Sequence, residues 1–151
     1  MNCYAKIMAL LLIIIAMPFA CTSAPKFSDV LDKDWKLIAV RGAENINFNR
    51  GKLVEEEFPD IFTLRFDQER VNGVGAPNRF FAPYTLADKQ GISIQTIAQS
   101  QMAPLREPEY LKEQDFFAYL QSATQWNIVK GGLELHSTDK DGAAAVLVFA
   151  P

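Results

Sequence analysis

The chain has 151 residues, of which 49% are hydrophobic, and its 15 basic and 18 acidic side chains give a net charge of −3 at neutral pH. A negative balance disfavours nucleic acid as a partner. A body of about 130 residues can bury roughly two-thirds of its unfolded surface, which is enough for one domain with a self-sufficient core.

The N-terminus has the pattern of a secretory signal. One positive charge, at Lys6, precedes an apolar run over residues 7–19, and the small residue Ala20 leads to Cys21. As a helix this run would be about 20 Å long, too short for a hydrocarbon layer of about 30 Å, so we expect it to be removed rather than to span. It resembles a bacterial lipoprotein signal, which predicts residues 1–20 as signal peptide and Cys21 as the acylated first residue.

Cleavage at other positions is disfavoured but leaves alternatives. A general signal peptidase could recognise residues 22–24, yet Pro25 would follow the scissile bond. The lipoprotein pattern usually has Leu three residues before the cysteine, and Pro18 stands there. An uncleaved anchor and a secreted form without lipid therefore stay open. Thr22, not Asp, follows Cys21, which by resemblance to sorting in double-membrane bacteria predicts an outer-membrane lipoprotein facing the periplasm.

The mature part is expected to fold without covalent or metal cross-links. Loss of residues 1–20 removes Lys6 alone among the charges and leaves 14 basic against 18 acidic side chains, a net charge of −4. Cys3 leaves with the signal and Cys21 is acylated, so no thiol remains for a disulfide or a zinc site. Residues 21–28 are interpreted as a tether and residues 29–151 as the domain.

The first half of that domain is predicted to form mainly strands. Trp35, Leu37 and Ala39 alternate on one face, with Lys36 and Ile38 on the other, which is the period of a half-buried strand. A polar loop over 41–52 follows, and residues 53–58 fit either an exposed edge strand or a short helical turn.

The next four segments predict an antiparallel meander. Residues 62–66 and 70–73 alternate around a short turn and indicate a hairpin. Residues 80–86 and 91–97 continue the series of strands after a turn at 87–90.

One helix is predicted, from Glu107 to Ala123. Pro108 suits a first helical position and acidic residues crowd the first turns. Residues 126–135 then predict a second hairpin, and residues 146–148 a closing strand after a turn at 138–142. The fold class is therefore α+β and mostly antiparallel β.

Candidate chemistry is sparse. His136 is the single histidine of the chain and alternates outward with Glu134, so we interpret it as a solvated residue. Asp139 and Asp141 resemble a cation loop, but no further oxygen ligands follow them, and turn residues explain them better.

The other charged and glycine-rich segments give no site either. Glu55, Glu56 and Glu57 form a solvated charge run, and residues 73–75 are not a phosphate-binding loop because no helix or lysine follows closely. We expect no catalytic residues, no cofactor and no metal.

The aromatic residues are the remaining candidates for binding. Phe80, Phe81 and Tyr84 fall where a barrel mouth could open, and a lipophilic ligand or an apolar segment of a partner protein would suit them. Core packing is the alternative explanation.

Several ordered segments together resemble the META-domain (HslJ-like) family of envelope proteins. They are Trp35-Lys36-Leu37, Thr63-Leu64-Arg65-Phe66, Val71-Asn72-Gly73, residues 75–84, residues 92–102, residues 116–120, Trp126-Asn127-Ile128 and residues 131–135. The resemblance implies a small antiparallel barrel-like sheet crossed by one helix. It also implies an outer-membrane or surface lipoprotein linked to stress tolerance, drug resistance and virulence, without known catalytic residues.

Two family positions depart from the pattern. The family's Gly-x-Cys-Asn-x-Tyr turn is Gly75 to Phe80 here, with Pro77 at the cysteine, and its Met-Ala-Cys is Met102 to Pro104. If the family cysteines form a bridge, both have been lost together, and proline stiffens each loop instead. The alternative is that these loops tolerate proline and never held a bridge.

Three functional hypotheses follow. The first is a non-enzymatic envelope lipoprotein, attached to the membrane through Cys21, that binds a protein or lipid partner and supports envelope integrity, stress tolerance or drug resistance. The second is a lipid-binding shuttle like the pilotins of type III secretion, by analogy of fold alone. The third is a hydrolase that uses carboxylates.

Overall fold

The computed structural model describes residues 24–42, 48, 50–55, 58–103 and 107–151. Its strands are β1 Trp35–Arg41, β2 Thr63–Phe66, β3 Arg70–Val74, β4 Arg79–Ala87, β5 Gly91–Ile94, β6 Ala98–Gln99, β7 Gln125–Val129, β8 Gly132–Thr138 and β9 Ala144–Ala150. The helices are α1 Arg50–Glu55 and α2 Glu113–Gln121, and a 3₁₀ helix at Phe27–Asp29 precedes β1.

Eight strands close into an antiparallel barrel. Around the ring the order is β1, β2, β3, β4, β5, β7, β8, β9, and β9 pairs with β1 again. The short strand β6 adds to β4 outside this ring. The predicted α+β class and the meander from β2 to β5 are confirmed.

The two ends of the barrel differ. Because neighbouring strands are antiparallel, the turns at 67–69, 88–90 and 130–131 share one end. The Phe27 ring closes this end by packing on the rings of Phe66, Tyr84 and Trp126, with centroids 5.1 to 5.4 Å apart. We name it the Phe27 end.

Phe27 also belongs to the segment predicted as a tether over residues 21–28. The last residues of that segment therefore pack on the barrel.

The opposite end, which we name the helix end, carries α2 and the loops at 75–78 and 139–143. The ring of Phe116 on α2 lies 5.0 Å from that of Phe62 and 6.1 Å from that of Phe80. Helix and barrel thus share one core, whose largest fully buried side chains are Trp35, Phe62, Phe66, Phe116, Phe149, Leu37, Leu53, Leu64, Leu120, Leu133, Leu135 and Leu147.

The alternation predicted for β1 is wrong beyond Leu37. A register shift between Leu37 and Ala39 leaves Ile38 as an extra residue, 42% exposed. After this bulge Val40, not Ala39, points inward and is buried.

The predicted helix is present but shorter than Glu107 to Ala123. It begins at Glu113, after Lys112 in an extended conformation, and Pro108 is buried outside the helix. The side chain of Glu113 bonds the loop at 76–78, which fixes where the first turn must start. The helix ends at Gln121 because the chain turns into β7.

Residues 53–58 fit either a strand or a helical turn by sequence, and residues 53–55 form the end of the short helix α1. Its first residue, Arg50, donates from its guanidinium to the carbonyl oxygens of Leu37 at 3.0 Å, Ile61 at 3.1 Å and Pro59 at 2.7 Å. Burial lowers the pKa of this guanidinium, and Asp60 partly opposes that effect. Arg50 therefore satisfies carbonyls beside the short β1–β2 pairing.

Within the described part of the chain, no helix has both the length and the apolar character that crossing a bilayer requires. Cys21, Glu56, Glu57 and Pro104 lie outside the described residues.

Candidate functional site

The outer wall of the barrel has an open groove of about 820 Å³ over β3 and β4, which we name the β3–β4 groove. Asn72 on β3 lies opposite Phe81 on β4, and Val74 lies opposite Arg79. Inward residues alternate with these, so Phe80 is 3% exposed while Phe81 is 47% exposed. Phe80 therefore packs in the core, and Phe81 faces the groove.

Two arginines border Phe81. The guanidinium carbon of Arg70 lies 5.8 Å from the centre of the Phe81 ring, and the Arg70 guanidinium lies 3.9 Å from the Glu69 carboxylate and also interacts electrostatically with Asp67. Arg79 makes no ion pair within the described ranges. The groove therefore offers one aromatic ring between two arginines, of which Arg79 has no ion-pair partner in the described ranges. Three acidic side chains line the same groove: Asp32, Asp67 and Glu69.

The acidic turn at one rim of the groove is structural. The Asp67 carboxylate accepts backbone N–H bonds from Glu69 at 2.9 Å and Arg70 at 2.7 Å. These two bonds are the main reason why its pKa is lowered. The Tyr84 hydroxyl donates to the Asp67 carbonyl oxygen at 2.6 Å, and burial, with a smaller effect of Asp67, raises the Tyr84 pKa. Asp67 is thus an ionised turn residue.

A second polar centre lies at the helix end, where the family's proline-substituted turn meets α2. One Glu113 carboxylate oxygen accepts from the backbone N–H groups of Ala76 at 2.5 Å and Asn78 at 2.7 Å, and the other accepts from the Asn78 amide at 2.7 Å. Asn78 is buried, and its amide oxygen accepts from Met102 N–H and the Ser100 hydroxyl, both at 2.8 Å. We name these residues the Glu113–Asn78 cluster.

The cluster joins three separate segments of the chain. It brings the loop at 75–78, which contains Pro77, against Met102. Gly75 is required there, since a Cβ on it would lie 2.5 Å from a Glu113 carboxylate oxygen and 2.7 Å from the Phe117 ring. The carboxylate oxygens of Glu113 and the amide group of Asn78 are all hydrogen-bonded within the cluster. The role of the cluster is therefore to hold the loops together.

His136 lies on the outer face of β8, as its alternation predicted. Its side chain is 42% exposed, and its Nε2 lies 3.9 Å from a carboxylate oxygen of Glu134, which also pairs with Arg41. The Thr124 hydroxyl bonds the His136 backbone carbonyl at 3.5 Å, and among the described residues no hydroxyl or thiol bonds the His136 imidazole.

Asp139 also behaves as a turn residue. Its carboxylate accepts backbone N–H bonds from Asp141 at 2.9 Å and Ala143 at 2.8 Å. No group of three or more potential metal-ligating side chains occurs in the ranges that the structure describes.

Sequence reasoning found Phe81 but missed Arg70 and Arg79. The alternation of the strands could have identified them. Once the β3–β4 register is known, both arginines point outward on the same face as Phe81. It also missed Glu113, whose importance depends on a loop 35 residues earlier in the chain.

Comparison with known proteins agrees with this architecture. The META domain family model matches residues 28–150. A solved structure of a protein from Burkholderia xenovorans is similar over 89% of this chain and 97% of its own, with a TM-score of 0.56 at 17% identity. A DUF4847 family protein from Bacteroides vulgatus is similar over 82% of this chain and 95% of its own, with a TM-score of 0.54 at 14% identity. No curated protein sequence matches the chain.

Proposed function

The chain belongs to the META-domain family, and on that premise we propose that it is a non-enzymatic envelope lipoprotein. Its role is to bind a partner protein at the cell envelope and so support envelope integrity, stress tolerance or drug resistance. The lipid anchor is Cys21, and the location is the periplasmic face of the outer membrane. The observation that carries the binding role is the β3–β4 groove, with an exposed aromatic ring between two cations.

The groove favours a protein segment of defined chemistry. Phe81 offers apolar surface for a side chain of the partner, and Arg79, which makes no ion pair among the described residues, offers charge for a carboxylate beside it. Aromatic and arginine side chains are the residues that most often dominate binding energy at protein interfaces. The partner we propose therefore presents an apolar residue with an acidic residue beside it.

The packed interior weighs against the lipid-shuttle alternative. Phe27 covers one end of the barrel, Phe116 fills the other, and the inward side chains between them are fully buried. A lipophilic ligand inside the barrel would have to displace these rings. Recognition on the outer wall needs no such displacement.

The carboxylates of Asp67 and Glu113 give little support to a hydrolase. Asp67 is held ionised by two N–H bonds, and Glu113 accepts three hydrogen bonds from one loop. A general acid or base must point its carboxylate at the substrate, and these hydrogen bonds direct both carboxylates at the protein's own backbone and side chains.

Replacing the groove side chains tests the proposal. In the natural host, Phe81→Ser combined with Arg79→Glu should reproduce the envelope sensitivity of the deletion strain, because both the apolar contact and the charge are removed. Thermal unfolding of the purified variant should stay close to wild type, since both residues are exposed. The measurement is survival under envelope stress alongside protein level in the membrane fraction.

The matched control is Ile38→Ser on β1, whose exposure of 42% is close to the 47% of Phe81. It should leave survival unchanged, as should His136→Gln. Wild-type survival of the groove variant, in a host whose deletion strain is sensitive, would exclude the groove as the binding surface. Loss of survival on replacement of one acid alone, in a variant that unfolds like wild type, would favour the hydrolase.

A further inference from the structure

We infer that the Phe27 end of the barrel faces the lipid bilayer, with Lys89 and Lys130 placed among anionic phosphate headgroups. This inference rests on the proposed anchor at Cys21, and it adds an orientation and a second contact surface. The helix end then points away from the membrane.

The first argument is the reach of the chain. Phe27 is fixed to the barrel by its contacts with Phe66, Tyr84 and Trp126, and Leu31 pairs with Phe66 four residues later. Only six residue steps separate Cys21 from Phe27, which span at most about 20 Å. An acyl group on Cys21 therefore keeps the Phe27 end close to the headgroups.

The length of the strands sets the distance between the Phe27 end and the helix end. β8 and β9 each have seven residues, about 23 Å along the strand. α2 and the turn at 139–143 lie at the far end of these strands. A barrel that stands on its Phe27 end therefore holds its helix end about 23 Å farther from the headgroups, whereas a barrel lying on its side would bring both ends equally close.

The second argument is the choice of residue at two tight turns. Lys89 and Gln90 connect β4 to β5 with φ of 57° and 63°, and Lys130 and Gly131 connect β7 to β8 with φ of 51° and 82°. Such turns favour Asn or Gly at both central positions. Lysine occupies the first central position of both turns, and both turns lie at the Phe27 end.

These lysines are free to meet an anionic surface. Both are exposed, and neither makes an ion pair among the described residues. Acids also occur at this end. Asp32 and Asp34 face Arg65 at 3.6 and 3.3 Å. In the turn at 67–69, Asp67 accepts two backbone N–H bonds and Glu69 lies 3.9 Å from Arg70. Asp88, next to Lys89, is the exposed acid nearest to these turns. Cationic side chains beside an anchored segment are a recognised means of contact with anionic lipid.

The test compares the distance of the two barrel ends from the membrane. The lipidated full-length product is purified with an azide-bearing residue at position 68 or at position 141, labelled with a fluorescent donor, and reconstituted in phosphatidylethanolamine–phosphatidylglycerol vesicles carrying acceptor-labelled headgroups. Both positions are exposed turn residues, at the Phe27 end and the helix end respectively. We expect several-fold more efficient energy transfer from position 68.

The lysine contribution is measured in the same vesicles. Lys89→Gln with Lys130→Gln should reduce the transfer from position 68, whereas Lys112→Gln with Lys140→Gln, which removes the same charge from exposed positions at the helix end, should not. Equal transfer from positions 68 and 141, or greater transfer from 141, would overturn the orientation. An unchanged signal in the Lys89 and Lys130 variant would overturn the headgroup contact.

Failure of the anchor is distinguished from failure of the orientation. If the natural product carries no acyl group, the proposed function loses its anchor. The same donor-labelled chains are then coupled through the Cys21 thiol to a maleimide phospholipid, which restores the connection that the geometry requires. The comparison of positions 68 and 141 is then decided in the same way.

Discussion

Phe116→Ala should lower the free energy of unfolding by about 3–5 kcal/mol, the largest single effect we expect in this protein. Phe116 is fully buried, and its ring contacts those of Phe62, Phe80 and Phe117. Truncation would leave a cavity where α2 meets the barrel, because rings on several elements cannot all move to fill it. Chemical denaturation followed by circular dichroism gives the value.

Phe81→Ala is the matched control, since the same atoms are removed from a side chain that is 47% exposed. Its cost should be about 1 kcal/mol or less, as is usual for surface positions. Similar losses for both variants would contradict a packed barrel interior, and with it our argument against a ligand inside the barrel.

Glu113→Ala should lower the free energy of unfolding by about 2–4 kcal/mol, because three donors in the loop at 76–78 lose a charged acceptor. The loop should then separate from α2, and the backbone amides of Ala76 and Asn78 should lose protection against hydrogen exchange. Denaturation and amide exchange measured by NMR test the two effects together.

Gln114→Ala changes the next residue of α2, which is exposed, and should leave both measurements near wild type. Gly75→Ala should resemble Glu113→Ala, since the added methyl group would press on the same carboxylate. If Glu113→Ala unfolds like Gln114→Ala, the cluster does not hold the loop to the helix.

Local patterns predicted much of the barrel. The hairpin of β2 and β3 followed from Phe62, Leu64 and Phe66, all of which are buried, and the turn at 87–90 agrees with the observed bounds of β4 and β5. Each of these predictions depends on residues close in sequence, where the alternation of apolar side chains and the residue types in the turn indicate the structure. The META resemblance was confirmed by the family match over residues 28–150.

Long-range contacts determined what sequence could not predict. The bulge at Ile38 follows from the register of β1 with β9, and the start of α2 follows from bonds between Glu113 and a loop more than 30 residues away. The groove needed the pairing of β3 with β4 before Arg70, Arg79 and Phe81 could be placed on one face. Cys21 lies outside the described residues, so its acylation stays a prediction from the signal pattern.

Mass spectrometry of the mature N-terminus, on protein isolated from membranes of the natural host, tests the envelope assignment most directly. Our account predicts an N-terminal peptide that begins at Cys21 and carries a diacylglycerol thioether and an amide-linked fatty acid. A product that begins at Met1, or one that begins beyond residue 21 without fatty acid, would contradict both the anchor and the location proposed for this protein.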